Sequence, residues 1–155
     1  MSLSDLFKSP SKKLESSVKQ VFANPPVLET PRLILKKIVP ENAQDMYAYA
    51  SDPDITKYLT WSCHSSLKET ERYIKLLQKK YDAGVFNDWG VTLKENGRFI
   101  GTCGYTSFDF DERKAEIGYV IAKECHGHGY APEAARRIMK FGAETFGLVG
   151  YFAKM

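Results

Sequence analysis

A strand-like run, Ala115 to Ile121, leads within a few residues into Cys125-His126-Gly127-His128-Gly129-Tyr130-Ala131-Pro132-Glu133-Ala134. That succession leaves the chain few folds. It reads as a strand, a glycine-rich turn and the start of a helix. Glycines let the backbone turn tightly and come close to a ligand. The first N–H groups of a helix have no partner inside it, and the helix dipole favours negative charge at that end, so such a turn is suited to phosphates. Pro132 suits the first helical position, and Glu133 puts a negative charge in the first turn. Ala134, Ile138, Phe141 and Thr145 then recur at helical spacing, with Gly147 as a stop. From these residues alone, a glycine corner that binds nothing remains the alternative.

The rest of the chain sets that turn in an α+β plan. Ser9-Pro10-Ser11 reads as a break, and Leu14, Val18, Val21 and Phe22 then share one helical face until Asn24-Pro25-Pro26. Residues 1–26 are therefore expected to form an amphipathic helical extension, packed on the main domain or on a second subunit, and residues 27–155 the main domain. Leu33 to Ile38 is strand-like. Pro40-Glu41 opens a helix with Ala43, Met46, Tyr47 and Ala50 inward, and Asp52-Pro53-Asp54 stops it. Ser66 and Glu69 form a capping box for a helix carrying Thr70, Tyr73, Ile74, Leu77 and Tyr81, closed by Gly84. Asn96-Gly97 between Trp89–Lys94 and Arg98–Cys103 is a hairpin signal. Helices on a mixed, mainly antiparallel twisted sheet are expected.

With 155 residues, 43% hydrophobic and 26% charged, the chain suits one soluble domain with a core. The net charge of +3 forms no block, so nothing argues for nucleic acid. No apolar run approaches a membrane span, and no secretion core is visible. Three cysteines without framework spacing fit a reducing, cytoplasmic setting. Cys125, His126 and His128 are too crowded on a tight turn for a metal site and lack a fourth ligand, so no metal is expected. No phosphate-loop lysine and no βαβ unit accompany the glycines, which weakens a nucleotide-binding reading.

Leu28-Glu29-Thr30-Pro31-Arg32-Leu33-Ile34-Leu35 resembles the opening strand of the GCN5-related N-acetyltransferases, in particular the RimJ/RimL-type branch that acetylates ribosomal-protein N-terminal alanines. The Ala115–Tyr119 strand with the turn and helix start at 127–134 resembles that family's acetyl-coenzyme A motif. The resemblance runs from about Val27 to Gly147. It implies an acetyl-CoA-dependent transfer of an acetyl group to a primary amine, with a protein N-terminal amine as first choice and small polyamines or amino sugars as others. It also implies that the diphosphate of acetyl-CoA lies on His126, Gly127, His128, Gly129, Tyr130 and Ala131, and that the pantetheine arm runs beside Val120 and Ile121, where a backbone N–H polarises the thioester carbonyl. Members of the family continue with a strand, a helix and a closing hairpin. Here Gly150 to Met155 is expected to begin that strand, so the resemblance implies a C-terminally truncated form of the fold and a missing acid for the thiolate. An open sheet edge would favour a homodimer.

The attacking amine must be neutral. A lysine amine titrates near ~10.4 and an α-amine near ~7.7–8.0, so the latter needs less help from a base. Glu116, on the strand beside the cofactor, is the candidate base through a water; a solvated or salt-bridged strand carboxylate is the alternative. Tyr58, Trp61 and Tyr105 are candidates for an acceptor pocket, or for core. A non-catalytic CoA-binding or oligomerising remnant of the same domain is the second functional reading.

Overall fold

The computed structural model describes residues 8–57, 59 and 61–152. The Ser9 hydroxyl accepts a bond from the Lys12 N–H at 3.3 Å and Pro10 takes the first turn, so the Ser-Pro-Ser step starts a helix instead of breaking the chain. This helix, α1 (Pro10–Ala23), buries Leu14, Val18 and Phe22. The Phe22 ring meets Trp89 edge-on at 5.2 Å, and the Trp89 indole N–H reaches back to the Pro26 carbonyl at 2.8 Å. The helix thus contributes to the one hydrophobic core.

Among the described residues six strands follow in spatial as in chain order: β1 (Leu28–Glu29), β2 (Leu33–Lys36), β3 (Asp88–Leu93), β4 (Phe99–Asp109), β5 (Lys114–Ile121) and β6 (Gly150–Tyr151). All neighbours are antiparallel except β5 and β6, which are parallel. The mixed, mainly antiparallel α+β sheet expected from the sequence is what the chain forms. The crossover β5–α5–β6 is the βαβ-like unit that the residue pattern did not disclose, because β6 is only two residues long. The β3–β4 turn is the Asn-Gly hairpin, closed by Leu93 N–H to the Arg98 carbonyl at 2.9 Å.

Between β2 and β3 lie α2 (Ala43–Ala50), α3 (Pro53–Thr56) and α4 (Leu67–Asp82). In α2, Ala43, Met46 and Ala50 are buried as expected, but Tyr49, one turn on from Met46 on the same face, is buried and Tyr47 only half-buried. Ser66 caps α4 through the Glu69 N–H, but the Glu69 carboxylate turns to the N–H and hydroxyl of Ser65, so the expected box is only half made.

Helix α5 spans Tyr130–Phe141 and runs into a π turn, Gly142–Phe146, before Gly147 closes it at φ +64°. The wide turn shifts the helical face by one position, so Phe146 is buried and Thr145 is exposed. Strand alternation divides the sheet. Trp89 and Tyr105 point towards α1 and α5, with the Tyr105 hydroxyl donating to the Ile138 carbonyl at 2.9 Å. Tyr105 is therefore core, not acceptor pocket. Asp88, Gly104 and Gly118 stand in register across β3, β4 and β5 and face the opposite way, towards α2 and α4.

Candidate functional site

The turn between β5 and α5 carries two consecutive demands on the backbone. Gly127 and Gly129 stand at φ +79° and +80°, where side chains with a Cβ are disfavoured. Gly129 is the N-cap, so α5 starts at Tyr130, two residues before the expected position, and Pro132 sits in its first turn. The Glu133 N–H closes the first helical bond on the Gly129 carbonyl at 3.2 Å. Among the described residues, the N–H groups of Gly127, His128, Gly129, Tyr130 and Ala131 have no protein acceptor.

Four of these five residues, all but His128, line a cavity of about 260 Å³. Six of the eight positions expected to hold the cofactor line it: Ile121, His126, Gly127, Gly129, Tyr130 and Ala131. Val120 and His128 do not. Val120 is on the opposite face of β5, while the exposed His128 ring stacks on Tyr130 at 5.5 Å. Tyr119, Cys125 and Pro132 complete the lining. The alternation that places Ile121 there also places Tyr119, two residues earlier, and is the signal that could have found it. The His126 ring is tied by Nε2 to the Ile121 carbonyl at 2.7 Å, which fixes the end of β5 against the turn. Burial pushes the Cys125 thiol up, so it is a poor nucleophile.

Arg32 and Glu133 hold the helix start in place. The Glu133 carboxylate accepts from the Thr30 hydroxyl at 2.5 Å, the Arg32 N–H at 3.1 Å and the Arg32 Nε at 2.7 Å. Desolvation opposes its charge, but these three donors outweigh it and keep its pKa below the ordinary carboxylate value. The Arg32 guanidinium carbon lies over the Tyr130 ring, 4.5 Å from its centroid. Sequence reasoning read Glu133 as a dipole partner and missed Arg32, because the contact spans about a hundred residues of chain. Glu133→Gln is expected to lower Tm at pH 7. The gap to the wild type should close in acid, as pH falls through the lowered pKa of the native carboxylate. Thermal melts across pH check this.

The β5 edge offers a second set of donors. Pairing with β6 is confined to Lys114 and Ala115, extended by Phe152 N–H to the Ala115 carbonyl at 3.0 Å. Alternation turns the N–H groups of Ile117, Tyr119 and Ile121 to that same edge, where no acceptor meets Ile117 or Tyr119 among the described residues. The Val120 N–H faces Thr102 on β4 instead. Glu116 lies on the α2/α4 face, where its carboxylate accepts from the Thr106 hydroxyl. Trp61 is half-buried and packs with His64 and Tyr73, at 5.2 and 6.3 Å. The His64 Nδ1 is 2.7 Å from the Thr70 hydroxyl, and desolvation lowers its pKa. Tyr58 lies outside the described residues, as do Ala153 to Met155. No group of three metal-ligating side chains occurs among the described residues, and none of their helices is long and apolar enough to cross a membrane.

A glycine turn of free amides feeding a helix, beside a strand whose parallel neighbour leaves it after two residues, is also the geometry of a family of acyl-transfer enzymes. The family model described as the acetyltransferase (GNAT) domain matches residues 32–155. The chain belongs to the GNAT acetyltransferases. An uncharacterised N-acetyltransferase of Bacillus licheniformis, p20, is 31% identical over 128 residues, which span 83% of this chain and 72% of that protein. A GNAT-family acetyltransferase from Bacillus anthracis superposes with a TM-score of 0.70 at 23% identity, over 83% of this chain and 72% of that one. RimL, a ribosomal L7/L12 alpha-N-protein acetyltransferase, superposes with a TM-score of 0.64 at 14% identity, over 77% of this chain and 65% of that one. These two structural likenesses are likenesses of fold. GNAT enzymes use acetyl-CoA and act on amines, and the turn here has room for such a donor. A Cβ added at Gly127 would meet nothing within 4 Å, and one at Gly129 would meet only the Arg32 Nη2 at 3.5 Å.

Proposed function

We propose that this GNAT domain transfers the acetyl group of acetyl-CoA to a primary amine, in the manner of the RimJ/RimL-type enzymes, with a polypeptide α-amine as the favoured acceptor. The observation that carries the reading is the row of five unpartnered amides, from Gly127 to Ala131, on a turn of which four residues line a cavity. Bound there, acetyl-CoA supplies an activated acyl thioester. The amides, helped by the α5 dipole, hold its diphosphate. The outward N–H groups of Ile117 and Tyr119 are placed to receive a developing oxyanion, a role worth a few kcal/mol in acyl transfer. Ile121 and Tyr119 line the cavity beside the turn.

Glu116 takes the proton from the amine, directly or through one water, and Thr106 orients it. An α-amine needs that help least, which together with the likeness to RimL supports the choice of acceptor. Glu116→Gln should therefore slow acetylation of lysine-like amines about a hundredfold, and that of α-amines much less. Rates on paired amines of high and low pKa, measured across pH, check it; equal losses on both would remove Glu116 as the base. Titration calorimetry with acetyl-CoA, followed by thiol release over an amine panel, tests the proposal as a whole. Absence of binding overturns it, and binding without turnover on any amine shows a CoA-binding module in its place.

A further inference from the structure

The His126 ring stands just past the end of β5 and lines the cavity beside the glycine turn. Its Nε2 lies 2.7 Å from the Ile121 carbonyl oxygen. A carbonyl oxygen only accepts, so Nε2 carries the hydrogen, and that bond fixes the tautomer. In the neutral ring Nδ1 is then a bare lone pair, and it is the nitrogen left to titrate. It has no hydrogen-bond partner among the described residues. Turning the ring over to offer a donor in its place would break the bond to Ile121.

The charged and titratable groups around the ring are engaged elsewhere. Glu124 is near enough to sense the ring, but its carboxylate is paired with Arg98, just before β4. Lys123 is turned to Asp54 of α3 at 2.8 Å. Tyr119 of β5, Cys125 and Tyr130 of α5 share the cavity wall, and burial pushes the Cys125 thiol up, which keeps it neutral. Arg32 lies over the Tyr130 ring with its Nε bonded to Glu133. His128 stacks on Tyr130 and is not part of the cavity lining. Among the described residues no carboxylate bonds to the His126 ring. A diphosphate held by the amides of residues 127–131 brings negative charge beside it. The neutral ring meets that charge with a lone pair, and the protonated ring meets it with a charged donor. An anion within about 4–6 Å favours the second.

We propose that His126 makes donor binding proton-linked: acetyl-CoA binds with uptake of a proton at His126 Nδ1, so the site holds it more tightly as pH falls. This rests on the acetyltransferase reading above and adds a pH control to the same site. Its sign opposes that of the chemistry, which needs a neutral amine and gains as pH rises. Mild acid therefore loads the enzyme with donor while it slows transfer.

Calorimetry of acetyl-CoA binding in buffers of different ionisation enthalpy counts the protons taken up. An imidazole in water titrates near ~6.5, and a tenfold gain in its proton affinity on meeting the diphosphate gives about half a proton at pH 7 and about sixfold tighter binding at pH 6 than at pH 8. The 3′-phosphate of the ligand titrates near ~6 itself, so the difference between wild type and variant decides. His126→Gln keeps a donor for the Ile121 carbonyl and has no proton to gain. It should still bind acetyl-CoA, with the uptake lower by about that half proton. His128→Gln should leave the uptake in place. Equal proton counts in wild type and His126→Gln, or an uptake lost in His128→Gln instead, overturn this proposal and leave the acetyltransferase reading standing. Absence of binding at every pH overturns both. Histidine-selective NMR reads the same event in the unaltered protein, where there are three imidazoles. On addition of acetyl-CoA, the one absent from the spectrum of His126→Gln should titrate at higher pH, through Nδ1. If no imidazole does so while acetyl-CoA binds, the proposal falls.

Discussion

Gly129→Val is expected to abolish acetyl-CoA binding, raising Kd about a hundredfold or more, while the domain still folds. The residue sits at φ +80°, which a β-branched side chain resists at a cost of about 1–2 kcal/mol. The backbone can relieve that strain only by rotating the peptide units on either side, and these carry the amides aimed at the diphosphate. Losing two or three charge-assisted bonds of roughly 1.5 kcal/mol each accounts for the hundredfold. The added side chain would also approach the Arg32 guanidinium, which lies 3.5 Å from the position of a Cβ. Gly129→Asn separates strain from bulk, because asparagine tolerates this region of φ. It should keep most of the affinity if the amides are what bind. Calorimetry on both variants, with circular dichroism for the fold, decides. Unchanged affinity in Gly129→Val would mean that the turn is not the donor site.

Much of this architecture was legible in the sequence, and its limits have physical reasons. The glycine turn showed because few other local structures call for glycine at two of three positions directly after a strand. The β3–β4 hairpin showed because Asn-Gly suits its tight turn. What depends on counting turns slipped by a residue or two. On α2 the inward face also takes in Tyr49, with Tyr47 at its margin, and the π turn after α5 brought Phe146 inward in place of Thr145. Strand β6 was too short to leave a pattern, which hid the parallel crossover. The site was legible along β5 and the turn, where neighbours in sequence are neighbours in space. Arg32 was not, because it acquires its role from Glu133 and Tyr130 on α5, about a hundred positions further along the chain.

Gly101→Ala should be the most damaging small substitution for the fold. A Cβ at this position would run into the Val120 carbonyl oxygen and stand 3.0 Å from both the Val120 carbonyl carbon and the Ile121 Cα. These are backbone atoms of the neighbouring strand and cannot rotate away, so β4 and β5 must separate where they lead into the turn. A loss of about 3 kcal/mol or more is expected, at the upper end for overpacking. Denaturant unfolding should show it as a lower midpoint with an unchanged slope. The same displacement moves Ile121, whose carbonyl holds the His126 ring, so acetyl-CoA affinity should fall in whatever fraction remains folded. Gly118→Ala is the matched control on the next strand. Its Cβ would meet only the Thr106 methyl, at 2.8 Å, and that side chain can turn aside. Turning costs Thr106 its bond to Glu116, so this variant should fold and bind acetyl-CoA yet lose acceptor turnover. If Gly101→Ala instead leaves the midpoint in place, β4 and β5 do not approach as closely as the sheet register requires, and the route from β5 to the glycine turn would have to be redrawn.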